Sequence, residues 1–288
     1  MSHQARSAES GVQLLARLEG RRSLENIEPR LFPEDAGPAK GDVVEFHGAE
    51  GTGKTEMLYH LLARCILPAE GGGLEAEAVL VDTDYHFDVL RLVTVLERRL
   101  PAGLGEEAVR SSLGRLYVAH CSGSTQLLLT LHYLEGVFCS RPAIATLVLD
   151  SVSAFYWVDR ACGGESLARQ EANLRKCARL LERFLRYYGI VVFATTHAIM
   201  RNYTSEAEAS SSSSSFSSCR RGPPAPPTDL SKAYLCKAWH SIVTHKVFFT
   251  KGEVAKDKKQ VFSVTSYSRT KRTTTCSFCV TDARVQFL

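Results

Sequence analysis

The sequence predicts an α/β protein, a mostly parallel sheet with helices on both faces and a β-rich extension at the carboxyl end. Three observations predict it. A short apolar stretch, Val43-Val44-Glu45-Phe46, runs into a glycine-rich loop and then into an amphipathic helix carrying Met57, Leu58, Leu61, Leu62 and Cys65. Downstream, apolar runs of strand length alternate with helical periodicity, the pattern of a parallel sheet covered on both sides. After residue 233 the chain turns to alternating β-branched and aromatic residues, as in Val247-Phe248-Phe249-Thr250 and Val261-Phe262-Ser263-Val264, read as antiparallel strands extending the sheet.

Taken in order, residues 1–40 carry a short helical pattern (Val12, Leu15 and Leu18 after Ser10) and a connection punctuated by Pro29, Pro33 and Pro38. This reads as a docking segment whose apolar face is buried either on a partner or on the chain's own core. The core, 41–203, is predicted as strand 43–47, helix 54–66, a turn at Gly71-Gly72-Gly73, strand 78–82, helix 87–99, strand 115–119, helix 124–139, strand 146–150, helix 168–187 and strand 190–195. Residues 204–231 hold a serine run from Ser210 to Ser218 and then Pro223-Pro224-Ala225-Pro226-Pro227, too little apolar surface to offset chain entropy, and read as a disordered loop. Residues 232–288 complete the core with strands.

At 288 residues and 44% hydrophobic content, the chain is expected to form one large domain with appendages. A formal net charge of +4 does not by itself require a nucleic-acid partner. Nine cysteines, an odd number, and a polar start (MSHQARSAES) argue against a secreted disulfide framework and for a reducing, intracellular compartment. No apolar run reaches the about 18 residues of a spanning helix. Cys276-x-x-Cys279 lacks a second ligand pair, so it is read as part of a strand and not as a zinc site.

The loop itself is Gly48-Ala49-Glu50-Gly51-Thr52-Gly53-Lys54-Thr55, a complete G-x-x-x-x-G-K-[ST] motif between strand and helix. Glycines let consecutive N–H groups curl inward, and the helix start adds its positive end, which together make a phosphate cradle. Lys54 is expected to reach the β/γ-phosphate oxygens and Thr55 to hold Mg²⁺. The run Thr146-Leu147-Val148-Leu149-Asp150 supplies an acidic strand end, where a parallel sheet places its ligands. Asp150 is the second Mg²⁺ candidate, the alternative being a cap on the next turn. ATP and Mg²⁺ are the cofactors this pattern implies.

From about residue 41 to 250 the motif order resembles the RecA-like core of the eukaryotic strand-exchange recombinases and their paralogues. The family's D-T-E box stands here as Asp82-Thr83-Asp84. Its acidic strand runs into a tyrosine-containing first DNA loop and an A-R-Q helix, here Asp150 through Tyr156, Gly163-Gly164-Glu165 and Ala168-Arg169-Gln170. Its T-N-Q sensor stands here as Thr195-Thr196-His197, and Cys236-Lys237-Ala238-Trp239 resembles the strand start after the second DNA loop. Within the family, Ala16-Arg17-Leu18-Glu19-Gly20, Asp82 to Phe87 and Leu235 to Trp239 resemble a short paralogue without the amino-terminal helical domain.

The resemblance implies a RecA-like P-loop ATPase core acting in homologous recombination repair of double-strand breaks and crosslinks in the nucleus. It implies pairing with the D paralogue within a wider paralogue complex, and contact with single-stranded or branched DNA. It also assigns His197 to the nucleotide and Asp84 to the place of the catalytic glutamate. Asp84 is one methylene shorter, setting its carboxylate about an ångström back; the other reading makes it the cap of the helix near Phe87. His197 in place of glutamine is expected to weaken coupling between nucleotide and DNA loop, or to be structural.

The first loop has Gly163-Gly164 without the family's arginine and the second is mostly Ser and Pro, so intrinsic DNA binding is expected to be weak. Arg160, Arg169, Arg201, Lys232 and Arg220-Arg221 remain as DNA candidates, or as ordinary solvated charges. Two functions compete: an ATP-binding scaffold that assists recombinase filament assembly, and an active ATPase that remodels such filaments. A small-molecule kinase would need an Arg-rich lid, which Arg220-Arg221 alone does not supply.

Overall fold

Side-chain alternation along the strands decides where each helix lies. In the computed structural model, which describes residues 11, 22–32, 37–101, 105–198, 234–254, 259–268, 273–282 and 284–288, the chain runs β1 (Val43–Gly48), α1 (Lys54–Ile66), β2 (Glu77–Asp82), α2 (Val89–Glu97), α3 (Gly105–Leu113), β3 (Leu116–His120), α4 (Ser124–Ser140), β4 (Ile144–Asp150), α5 (Tyr156–Cys162), α6 (Leu167–Gln170), α7 (Ala172–Tyr188), β5 (Val191–His197), α8 (Lys237–Ile242), β6 (His245–Val254), β7 (Gln260–Tyr267), β8 (Thr273–Val280) and β9 (Val285–Phe287). Val44 and Phe46 of β1, with Ala145 and Val148 of β4, face a core built with α1, α2 and the carboxyl-terminal strands. Val43, Leu147 and Leu149 point the other way, into a core with α4, α7 and α8. Helices therefore cover both faces, as the apolar strands predict.

The sheet order is β3-β2-β4-β5-β1-β6-β7-β8-β9. The first six strands are mutually parallel, and only β7, β8 and β9 join antiparallel. This refines the sequence reading: Val247-Phe248-Phe249-Thr250 belongs to β6, which is parallel to β1, and the antiparallel part begins one strand later. Cys276 and Cys279 lie in β8. Three positions apart in a strand, they point to opposite faces and cannot share one ion.

Further differences are local. The stretch read as a first DNA loop contains α5, the helix predicted over 168–187 is divided at Glu171 into α6 and α7, and α3 was not expected at all. The predicted strand start around Trp239 is instead α8, which places Trp239 and Ile242 on one buried face. The Trp239 indole N–H donates to Glu45 of β1 at 3.0 Å, which ties this helix to a central strand on the face that α7 covers. Residues 24–32 are core structure: Leu24, Ile27, Leu31 and Phe32 are all buried. Val12, Leu15 and Leu18 of the predicted docking helix, the Ser/Pro-rich 204–231 segment, Arg201, Lys232 and Arg220-Arg221 lie outside the described residues. Among the described residues no helix is long and apolar enough to cross a membrane.

The carboxyl-terminal strands are fastened to α1, the helix that follows the glycine loop. Phe278 of β8 stacks on Phe262 at 5.2 Å and packs edge-on against Phe249 at 6.1 Å. Arg91 of α2 forks onto Glu56 of α1 (3.1 and 2.8 Å) and donates to the carbonyls of Thr281 (2.9 Å) and Asp282. The Glu56 hydrogen bonds hold the Arg91 pKa above its usual value.

Candidate nucleotide-binding site

β1 ends at Gly48, and the loop Ala49–Gly53 turns directly into α1. Two glycines are required by what surrounds them. A Cβ on Gly48 would sit 2.5 Å from the Phe249 carbonyl oxygen, and Gly53 has φ +87° with the Phe278 ring 2.9 Å from where a Cβ would be. Thr52 is buried, and its hydroxyl closes the loop by donating to Ala49 O at 2.8 Å. Glu50 is exposed at the tip and Gly51 has φ +70°.

Lys54 is the buried cation of the site. Its ammonium donates to Gly48 O (2.8 Å) and Ala49 O (2.7 Å), so it lies back along the loop. Burial lowers its pKa to about 8, against the opposing pull of Asp150, Glu50 and Asp84. Thr55 donates to Asp150 Oδ2 at 3.1 Å, and Thr195 of β5 donates to the other oxygen. Burial raises the Asp150 pKa and the Asp84 charge adds to that, while hydrogen bonds from Thr195 and Thr55 oppose it. Two hard oxygens this close suit Mg²⁺, which takes one or two protein oxygens and completes its shell with phosphate and water. Among the described residues no group of three or more His, Cys, Asp or Glu side chains forms a metal cage of its own.

Asp84 and His197 meet over the end of β4. They follow β2 and close β5, the two neighbours of β4, and His197 Nε2 lies 3.2 Å from Asp84 Oδ2. Burial alone would raise the Asp84 pKa, yet the His197 hydrogen bond and charge, with Ser151 and His86, hold it below its ordinary value. Asp84 caps no helix: Asp88 caps α2, accepting from the N–H groups of Leu90 (2.8 Å) and Arg91 (3.2 Å).

Sequence reasoning missed the residue that shapes this turn. Asp82, 2% exposed, accepts from the N–H groups of Asp84 (3.2 Å), His86 (3.3 Å) and Phe87 (3.1 Å), and lies 3.3 Å from His120. The signal was present: an acidic residue ending an otherwise apolar strand must find donors. Tyr85, between them, sits at φ 55° and stacks on His120 with ring centroids 5.3 Å apart. Of the DNA candidates, Arg160 lies on α5 and donates to the Tyr156 hydroxyl at 2.8 Å, while Arg169 on α6 is exposed.

Fold and site together define a RecA-like α/β protein with a phosphate loop on its central strand. The chain belongs to the Rad51 family, whose pattern matches residues 35–216. It is 50% identical over 283 residues, 98% of each chain, to the DNA repair protein XRCC2 of Mus musculus. To the DNA repair protein XRCC2 homolog of Arabidopsis thaliana it is 29% identical over 302 residues, 85% of this chain and 78% of that one. A similar 29% over 163 residues relates it to the DNA repair protein RAD51 of Mycosarcoma maydis, covering 57% of this chain and 46% of that one. XRCC2 is the short paralogue that the three stretches named above resemble. The chain is thus a recombinase paralogue of DNA repair by homologous recombination.

Proposed function

We propose that the chain binds ATP with Mg²⁺ through Gly48–Thr55 and Asp150, and works in the nucleus as a scaffold subunit. It pairs with the D paralogue within a wider paralogue complex and assists recombinase filament assembly on DNA. One observation carries this reading. The loop keeps its complete motif with Lys54 folded along it and Thr55 beside Asp150, whereas the two groups that would orient an attacking water, Asp84 and His197, are hydrogen-bonded to each other. Binding without efficient turnover is what such a site supports.

DNA contact is weak and shared with the partners. Arg169 is exposed for it, Arg160 is engaged with Tyr156, and Arg201 and Lys232 complete the candidate set. A second reading, a DNA-stimulated ATPase that remodels filaments, is favoured by one feature: Asp84 is held ionised, as a water-orienting carboxylate must be.

The test is a pull-down with the purified D paralogue, comparing the natural chain with Lys54→Ala at matched expression and scoring heterodimer yield and ATP turnover. Lys54→Ala is expected to weaken ATP binding by roughly 100-fold, about 3 kcal/mol for a lost charge-assisted contact. Assembly should be unchanged and turnover should stay at background in both. Clear turnover by the natural chain that Lys54→Ala abolishes would replace the scaffold reading with the ATPase.

A further inference from the structure

His197 is held at both of its backbone polar atoms. Its N–H donates to Ser153 Oγ at 3.0 Å, and its carbonyl accepts from the Tyr234 hydroxyl at 2.6 Å. Both partners lead to the same place. Ser153 lies in the turn before α5, and its carbonyl accepts from the N–H of Tyr156, the first residue of that helix, at 3.1 Å. The Tyr234 ring stands edge-on to the Tyr156 ring, with centroids 5.0 Å apart and planes at 80°. Tyr156 in turn meets Trp157 edge-on at 5.1 Å and holds Arg160 at its hydroxyl. Trp157 is 59% exposed, so the chain of contacts runs from the candidate nucleotide site to the surface.

A cavity of about 50 Å³, lined by Phe155, Tyr156, Leu167, Tyr234 and Leu235 among others, lies beside the two tyrosines. Close-packed interiors hold rings in one arrangement, and this space leaves the pair less tightly enclosed than such an interior would. Burial pushes the Tyr234 hydroxyl up to about 12, so it remains a donor throughout the working pH range. Because the links at residue 197 use its backbone N–H and carbonyl, they do not depend on which side chain stands there.

We propose that Tyr234 is a positioning residue that couples occupancy of the nucleotide site to the α5 surface: a terminal phosphate bound beside the Asp84–His197 pair shifts the end of β5 with the pair intact, the His197 carbonyl carries Tyr234 with it, and Tyr234 re-sets Tyr156, Trp157 and Arg160. This rests on reading Gly48–Thr55 as a nucleotide site. The bistable element is the Tyr234–Tyr156 edge contact, which both ends of the route bias.

The experiment uses the full chain and the emission of Trp157, isolated from Trp239 by difference against Trp157→Phe. Magnesium adenylyl imidodiphosphate is the probe, and its affinity is measured separately by calorimetry. The natural chain is expected to change Trp157 emission on saturation. Tyr234→Phe, which keeps the ring and loses the bond to His197, should retain affinity within twofold and lose at least two-thirds of the emission change. Tyr156→Leu should lose it as well by removing the edge contact. A natural-size response in Tyr234→Phe overturns the proposal, as does a silent Trp157 in a natural chain that binds the probe. No calorimetric binding at millimolar probe would instead remove the nucleotide reading, and the coupling with it.

Discussion

Two carboxylate–histidine pairs flank the nucleotide-loop helix, and they are built differently. Behind α1, Glu28 Oε2 and His60 Nε2 are 2.5 Å apart with side chains 7% and 6% exposed; at its front, Asp84 and His197 are 3.2 Å apart and 22% and 40% exposed. His60 is also fixed from its other nitrogen, which lies 2.6 Å from Arg99. Since an arginine only donates, Nδ1 accepts, and Nε2 must carry the proton that Glu28 receives. One tautomer is thus enforced in the rear pair. Among the described residues no comparable donor is pressed on His197 Nδ1, and its backbone answers to Ser153 and Tyr234. The rear pair welds residues 24–32 to the helix, whereas the front pair is partly open to solvent.

The largest effect expected from breaking this contrast comes from Glu28→Ala. It leaves the buried His60 N–H without an acceptor, which costs about 2–3 kcal/mol, and should lower the thermal midpoint by roughly 5–10 °C. Asp84→Ala, with water at hand to replace the lost partner, is expected to cost about 1 kcal/mol or less. Calorimetric melting of both variants checks the ratio. Equal losses would mean the two pairs are energetically alike and the distinction in burial has no consequence.

How much of this was legible in the sequence follows from how local each feature is. The glycine loop is eight consecutive residues whose course from strand to helix is set by glycine and by the helix that follows, so its place in the fold could be read residue by residue. The position of Asp150 was readable because an apolar run closing on a carboxylate marks the carboxyl end of a strand, here β4. The Asp84–His197 pairing was not, since it depends on β2 and β5 both bordering β4, an adjacency of strands far apart in the chain. Glu28 was hidden by a proline-punctuated stretch that looked like a connection; its role comes from tertiary burial of Leu24, Ile27 and Leu31. Helices α5 and α8 were lost because they are only seven and six residues long, too short for periodicity to announce.

Acidification should separate the pairs further. Burial and the charges of Arg99 and Arg64 lower the His60 pKa, against the pull of Glu28, so the unfolded chain takes up this proton first. Stability from His60 is therefore fully present above its unfolded value of about 6.5 and is lost as pH falls toward the lower folded value. The Glu28 and Asp84 carboxyls are both held low as well: burial raises each, but the adjacent histidine heads the interactions that outweigh it. Their contributions are present above the unfolded carboxylate range near about 4 and fade only below it. Urea unfolding between pH 7.5 and 5.5 should thus show falling stability, a slope reduced in His60→Gln and retained in Asp84→Asn. A slope unchanged in His60→Gln would place the titration elsewhere.

The smallest expected effect belongs to His197→Gln, which installs the residue that the resemblance leads one to expect at this position. The pair it breaks is partly exposed, so stability should change by about 1 kcal/mol or less, and less still as salt screens the contact. Its value lies in what it does to Asp84. Freed from the imidazole, the carboxylate would face the cradle alone, with the shorter reach of an aspartate. If reach limits it, ATP turnover stays at background in His197→Gln, and the scaffold reading holds for a geometric reason. If turnover rises clearly above that of the natural chain, His197 was holding a competent carboxylate away from water, and the front pair is then a brake on hydrolysis.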